Sequence, residues 1–250
     1  MTGDVRDASK STGVVHVYYA DRRALPAAAV EALVTAEDRQ RVTGTMHPRR
    51  TAEYLASRAL LRHSLARHTA RSAAELRIET SADGKPSCVG GPEVSVSHSG
   101  DIVMCALAAA GAVGVDVETA GPRSVAAVAE RFFTAAEARW VAAQPEPRFR
   151  QLWVLKEAYL KALGVGLAGG LSSLECRVEL PSIVARVAGA PLRGLPGGEG
   201  GAPQLALLQG KGCSVGVASL AATPLELVLE HVALDGSADA VGPLALLART

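Results

Sequence analysis

The chain has 250 residues, enough for one large domain or for two small lobes that share an interface. At 48% hydrophobic and only 4% aromatic, its composition is that of a globular protein with a core of Ala, Val and Leu, and it excludes a disordered chain. The formal net charge is +1, which excludes a global positive field for nucleic acid, so any anionic ligand must be held by a local cluster.

In chain order, residues 1–12 read as a disordered start. Val14–Tyr19 is a β-branched and aromatic run, the mark of a strand. Leu25–Arg41 has helical stretches, with Thr35 and Asp38 spaced as a cap. From Pro48 to His68 the pattern is helical: Tyr54, Leu55, Ala59, Leu61, Leu65 and Ala66 make an apolar face, with Arg58, Arg62 and Arg67 off it. Leu76–Glu79 is a short strand, and Ala82–Pro86 has turn chemistry. Val94–Ser97 and Ile102–Ala108 form a hairpin around Ser99-Gly100-Asp101, and Val113–Glu118 is a further strand.

Val125–Phe133 and Thr134–Ala143 are helical, Pro145 and Pro147 interrupt, and Phe149–Leu163 is a long helix ended by Gly164. Beyond Gly170 the strands are short: Leu174–Leu180, Ile183–Val187, Leu205–Leu208, Ser214–Leu220 and Leu225–Ala233. Leu192–Pro203, rich in Gly and Pro, reads as a mobile loop, and the tail from Asp235 is ambiguous. Helices interspersed with short antiparallel strands make the fold class α+β.

Four local signals carry chemistry. The first is Gly114-Val115-Asp116-Val117-Glu118. On a strand, Val113, Val115 and Val117 face one way, and Gly114, Asp116 and Glu118 the other. Two carboxylates at i and i+2 repel unless a positive charge lies between them, and a divalent cation with oxygen ligands is the natural one. Solvated acids at an exposed strand end would explain the pair equally well.

The second signal is Trp153–Lys161. Leu152, Leu155, Tyr159 and Leu163 form a stripe, from which Glu157 and Lys161 point away as i, i+4 neighbours. Taken alone, that pair is an ordinary surface contact worth ~0.3–0.5 kcal/mol. The third is Val94–Gly100, where His98 sits among hydroxyls at a strand–turn junction and could meet a phosphate or merely complete a hairpin. The fourth is the rigid turn Gly84-Lys85-Pro86.

The chain has 21 Arg but only 5 Lys, and three of the lysines (Lys85, Lys156, Lys161) fall inside these motifs, where a compact ammonium is wanted. Cys88, Cys105, Cys176 and Cys213 are widely spaced, so buried free thiols fit better than a zinc site. The N-terminus is polar, and no apolar run reaches the ~20 residues of a membrane helix, so a cytoplasmic protein that touches no membrane is expected.

Taken together and in order, Gly84-Lys85-Pro86, Ser97-His98-Ser99, Gly114–Glu118 and Trp153–Lys161 resemble the phosphopantetheinyl transferases of the surfactin-synthetase-activating type. Ala129–Glu137 is similar to the family's linking segment, and Arg39–Arg62 to its arginine-bearing loop and first long helix, so the resemblance spans residues 35–175. Asp38 stands where some members carry a basic residue, and Tyr54 where they carry a small hydroxyl residue.

The resemblance implies two pseudo-symmetric α+β lobes, each a small antiparallel sheet on helices, with the active site at their interface. The expected bounds are 13–110 for the lobe that contacts nucleotide and phosphate, 111–233 for the lobe of the metal site and carrier docking, and 234–250 for an unassigned tail. The implied reaction moves the 4'-phosphopantetheine of coenzyme A to a serine of an apo acyl or peptidyl carrier protein, or of a polyketide-synthase carrier domain. It would release 3',5'-ADP and need Mg2+, with Mn2+ as a substitute.

In that reading Asp116, Glu118 and Glu157 hold the metal, and Glu157 and Lys161 are catalytic, Glu157 as base, ligand or both. Arg41, Lys85, Pro86, Ser97, His98, Lys156 and Lys161 bind coenzyme A. The family type implies a monomer that serves several kinds of carrier. The docking surface is expected beside Val125–Phe133 or Gly164–Leu171, with Leu167 as its exposed anchor.

Overall fold

The computed structural model describes residues 13–42, 46–119, 125–187, 202–210, 212–232 and 244–250. The expected disordered start and most of the expected 192–203 loop lie outside them.

Strand β1 (Val14–Asp21) leads into two short helices, α1 (Ala27–Leu33) and α2 (Ala36–Gln40), and then the long α3 (Pro48–Thr69). Strands β2 (Ile78–Thr80) and β3 (Pro86–Cys88) pair with each other, and β4 (Glu93–Ser99) and β5 (Ile102–Ala108) form the expected hairpin. The second half repeats the plan: β6 (Val113–Glu118), two short helices α4 (Val125–Phe132) and α5 (Ala135–Ala143), and the long α6 (Pro145–Leu163). Then come β7 (Leu174–Glu179), β8 (Ser182–Val187), β9 (Gln204–Gly210), β10 (Cys213–Ser219), β11 (Glu226–His231) and β12 (Ala245–Arg249).

The first sheet runs β11-β1-β5-β4, and the second runs β6-β10-β9-β12-β8-β7. Within them β1-β5-β4 and β6-β10-β9 are equivalent antiparallel triplets, each with its long helix inserted after the first strand. The α+β, two-lobed expectation therefore holds. It needs amendment at the C-terminal end, because β11, assigned to the second lobe, lies parallel to β1 in the first sheet. The end of the ambiguous tail is also placed: β12 enters the second sheet between β9 and β8.

Period-2 alternation divides the strands between layers. Val15, Val17, Met104 and Ala106 face Val113, Val115, Val117, Leu208, Val215 and Val217 in a core between the sheets. The opposite faces of β1 and β5 bury Tyr18, Val103, Cys105 and Leu107 against Leu60, Leu61 and Leu65 of α3. Each of those leucines is wholly buried, worth ~1.5–3 kcal/mol apiece. On the far side, α6 covers the second sheet through Leu152, Leu155 and Leu160.

The approach of α6 is close. A Cβ on Gly114 would lie 1.8 Å from the Ala158 carbonyl oxygen, and one on Gly216 2.2 Å from that of Val154. That contact explains the glycine of the Gly-Val-Asp-Val-Glu run: only hydrogen fits between strand and helix. Helix α6 begins at Pro145, four residues before the expected start, because prolines in a first turn lack only an N–H that has no helical partner there. It ends as expected at Gly164, with φ 73°. All four cysteines are buried and free.

Candidate active site

The acidic strand presents its carboxylates as the alternation requires. Asp116 shares the face of Gly114 and so meets α6, where Lys161 donates to its Oδ1 at 2.7 Å. Lys161 also donates to Ser97 Oγ at 2.9 Å and to the Val115 carbonyl at 3.1 Å. The other oxygen, Asp116 Oδ2, is buried and has no hydrogen-bond partner among the described residues. Glu118, at the half-buried end of β6, accepts from Ser99 Oγ at 2.8 Å.

Glu157 enters the same space from α6. Burial first, then the charge of Asp116, and to a lesser degree that of Glu118, raise its pKa to about 7, while Lys161 pulls the other way. Glu118 is raised too, by burial and by Asp116, against the hydrogen bond from Ser99. The two strand carboxylates and Glu157 therefore share one electrostatic field, in which Lys161 opposes the effect of burial and mutual repulsion without cancelling it.

Among the described residues, no group of three or more His, Cys, Asp or Glu converges to ligating distance. What is present nonetheless suits a hard divalent cation: an all-oxygen donor set, an orphaned buried carboxylate oxygen, and like charges that a cation would relieve.

Beside this cluster lies a cavity of about 210 Å³ lined by Asp83, Gly84, Lys85, Pro86, Ser95, Val96, Glu157, Lys161, Gly164 and Gly166. It joins the Gly-Lys-Pro turn of the first lobe to the end of α6. The turn needs Gly84 at φ 85°, and it carries the Lys85 ammonium to 3.4 Å from the Ala162 carbonyl. Lys85, Lys161 and Glu157 thus line one cavity.

Two of the expected nucleotide contacts lie off this cavity. His98 is turned to the outer face of β4, its Nδ1 3.5 Å from Glu53 Oε2, and burial holds its pKa below the usual imidazole range. Arg41 is partly exposed and lies 3.7 Å from Glu37. Ser97 is buried inside the network of Asp116 and Lys161.

Lys156 is a correction. It is wholly buried on the side of α6 away from the cavity, where it pairs with Glu137 at 2.8 Å and donates to the carbonyls of Leu171 and Leu174. The ~100° step per residue carries it out of the face that Glu157 occupies. Asp38 has a structural place as well: it caps α2 through Thr35 and pairs with buried Arg58 at 2.7 Å.

Sequence reasoning missed the serines as a set. Ser95, Ser97 and Ser99 accept from the backbone N–H groups of Val115, Val117 and Thr119 at 3.1, 3.3 and 3.1 Å. The signal was available in Ser-Val-Ser-His-Ser, whose period of two puts all three hydroxyls on one face of the strand.

Comparison with known proteins agrees with this geometry. Residues 112–186 match the 4'-phosphopantetheinyl transferase superfamily. The 4'-phosphopantetheinyl transferase psf-1 of Bacillus pumilus is 38% identical over 131 residues, covering 50% of this chain and 55% of that protein. A phosphopantetheinyl transferase of Thraustochytrium is 30% identical over 182 residues, covering 63% of this chain and 62% of that protein. The 4'-phosphopantetheinyl transferase Sfp of Bacillus subtilis is 28% identical over 152 residues, 58% of this chain and 67% of that protein. The matched region thus spans between about half and two thirds of these relatives' length. Over the matched residues the chain is therefore similar to the 4'-phosphopantetheinyl transferase superfamily.

Proposed function

We propose that this chain transfers the 4'-phosphopantetheine arm of coenzyme A to a serine hydroxyl of an apo carrier protein, in a Mg2+-dependent reaction that releases 3',5'-ADP. The observation that carries the reading is the meeting of Asp116, Glu157 and Lys161 beside a cavity that also holds Lys85. Its relatives are named for this transfer.

Asp116, Glu118 and Glu157 would hold the cation. When bound, Mg2+ supplies positive charge against the pyrophosphate and the developing charge of the leaving group. Lys161 and Lys85 add point charges for phosphate oxygens on the same side, and Pro86 holds the Lys85 turn rigid.

The carrier serine Oγ attacks the phosphorus on the pantetheine side. A new Oγ–P bond forms, the P–O bond to the leaving phosphate breaks, and 3',5'-ADP departs with the electron pair. The serine proton passes to the Glu157 carboxylate, the general base of the step. Arg41 and His98, which lie off the cavity in the first lobe, would meet the 3'-phosphate end of the nucleotide.

The carrier docks beside the end of α6. Leu167, in a short helical turn over Gly166–Gly169, is 60% exposed next to a cavity residue and offers an apolar anchor. Phe132 is exposed as well, whereas its neighbour Phe133 is core. We take the protein to act as a monomer in the cytoplasm. No described helix is long and apolar enough to cross a membrane.

The test is to incubate the protein with coenzyme A, Mg2+ and an apo carrier protein, then weigh the carrier. The expected result is a gain of one phosphopantetheinyl group with equimolar 3',5'-ADP. Coenzyme A consumed over an unchanged carrier would make the chain a phosphohydrolase, and coenzyme A bound but intact would make it a binding protein.

A further inference from the structure

Strands β4 and β6 are edge strands of different sheets, and no backbone ladder joins them among the described residues. The seam between them is instead stitched by the three serine hydroxyls of β4. Alternation puts Val94 on the opposite face, against α3, and leaves Ser95, Ser97 and Ser99 toward β6.

A hydroxyl has one proton to donate and two lone pairs with which to accept. At Ser97 all three are used. The Val117 amide and the Lys161 ammonium can only donate, so both lone pairs accept, and the single proton must go to Asp116 Oδ1 at 2.8 Å. The hydroxyl of Ser99 likewise accepts from the Thr119 amide and donates to Glu118 Oε2. Ser95 accepts from the Val115 amide, with no hydrogen bond to a carboxylate among the described contacts. Each of the two acidic residues of one lobe is therefore oriented by a hydroxyl from the other lobe.

We infer that Ser97 and Ser99 are positioning residues which fix the carboxylates of Asp116 and Glu118 for a divalent cation, so that cation affinity depends on the closure of the β4–β6 seam. This rests on reading those carboxylates as cation ligands. Groups that hydrogen-bond to metal ligands typically change affinity by ~10–100-fold when removed. Ser97 turns Asp116 so that one oxygen is saturated by Ser97 and Lys161 while Oδ2 stays open.

The experiment is a Mn2+ titration followed by electron paramagnetic resonance, with and without coenzyme A, on the full chain and on Ser97→Ala, Ser99→Ala and Ser95→Ala. Thermal unfolding and amide exchange are measured on the same samples. Ser97→Ala and Ser99→Ala are expected to weaken Mn2+ by about 10-fold or more. Ser95→Ala should quicken exchange at the Val115 amide yet hold the Mn2+ constant within about twofold, because it frees no carboxylate.

Equal weakening by all three variants would make the seam a general stabiliser and overturn the inference. So would unchanged Mn2+ affinity in both Ser97→Ala and Ser99→Ala. If Ser97→Ala does not fold, Ser99→Ala at the half-buried end of the seam decides alone. A wild-type protein that takes up no Mn2+ under either condition would sink the reading of the carboxylates as ligands, and this inference with it. Intact wild-type uptake with indifferent serine variants would sink the inference only.

Discussion

Helix α6 carries two lysines ~140° apart around its axis, Lys156 and Lys161, and they meet opposite environments. Lys156 is wholly buried and saturated by Glu137 and two carbonyls, with its ammonium 5.2 Å from the centre of the Phe133 ring. Lys161 is part exposed, and its partners are Asp116, Ser97 and a strand carbonyl at the edge of a cavity.

The first is a clamp. Glu137 also caps α5 and accepts from the Cys176 amide at 2.8 Å, so one ion pair ties α5, α6 and the start of β7 together. The second holds charge where a ligand can reach it. Two lysines of one motif can thus serve packing and chemistry separately, and the letters alone do not say which is which.

The largest expected effect lies on the cleft side. Asp116→Ala should lower transfer by at least about 100-fold, since several kcal/mol of charge stabilisation would go, with circular dichroism unchanged. A folded variant with near-normal Mg2+-dependent turnover would remove Asp116 from the site.

Next comes the buried side. Lys156→Ala leaves the Glu137 carboxylate unpaired and should cost ~3–5 kcal/mol, about 10 °C or more in Tm. Lys156→Met combined with Glu137→Gln removes both charges and keeps an acceptor for the Cys176 amide, so its loss should be clearly smaller. If the double variant were as unstable as Lys156→Ala, the cost would be one of packing and not of an orphaned charge.

Asp38 sharpens the same contrast, because it is a buried acid outside the cleft. Burial alone would raise its pKa. The Thr35 amide and the Arg58 charge outweigh that, and its pKa is lowered. A depressed folded pKa contributes stability above the ordinary carboxylate value, and that stability is lost as pH falls through the lowered one. Asp38→Asn should therefore cost ~1–3 kcal/mol near neutral pH and flatten the acid limb of the stability curve. An unchanged acid limb by thermal denaturation would contradict the assignment.

The smallest effect belongs to the surface. Leu167→Ala should raise the KM for carrier protein a few-fold, in line with ~1 kcal/mol of apolar contact, and leave that for coenzyme A unchanged. Equal shifts in both would mean that the segment shapes the cavity and does not recognise the partner.

Much of this was legible in the letters, for physical reasons. The carboxylate face of Gly-Val-Asp-Val-Glu follows from strand alternation, the Glu157–Lys161 face from the helical period, and the end of α6 from Gly164. Three things were not legible. Lys156 looks like a surface charge because its partners, Glu137 and two carbonyls, are remote in sequence. The parallel pairing of β11 with β1 depends on a long return across the molecule that no local pattern encodes. The serine seam is a contact between two sheet edges, and the short polar side chains of β4 read simply as a hydrophilic strand face until β6 is set beside them.

The claim that ties these together is that Glu157, on the Lys161 side of α6, takes the proton of the attacking hydroxyl. The measurement is Glu157→Gln, which keeps the size and hydrogen bonding of the side chain, assayed for turnover and for coenzyme A binding by calorimetry. Turnover is predicted to fall ~10²–10⁴-fold, with coenzyme A affinity changed only a few-fold. Wild-type turnover, or a collapse of coenzyme A binding as deep as the loss of turnover, would contradict it.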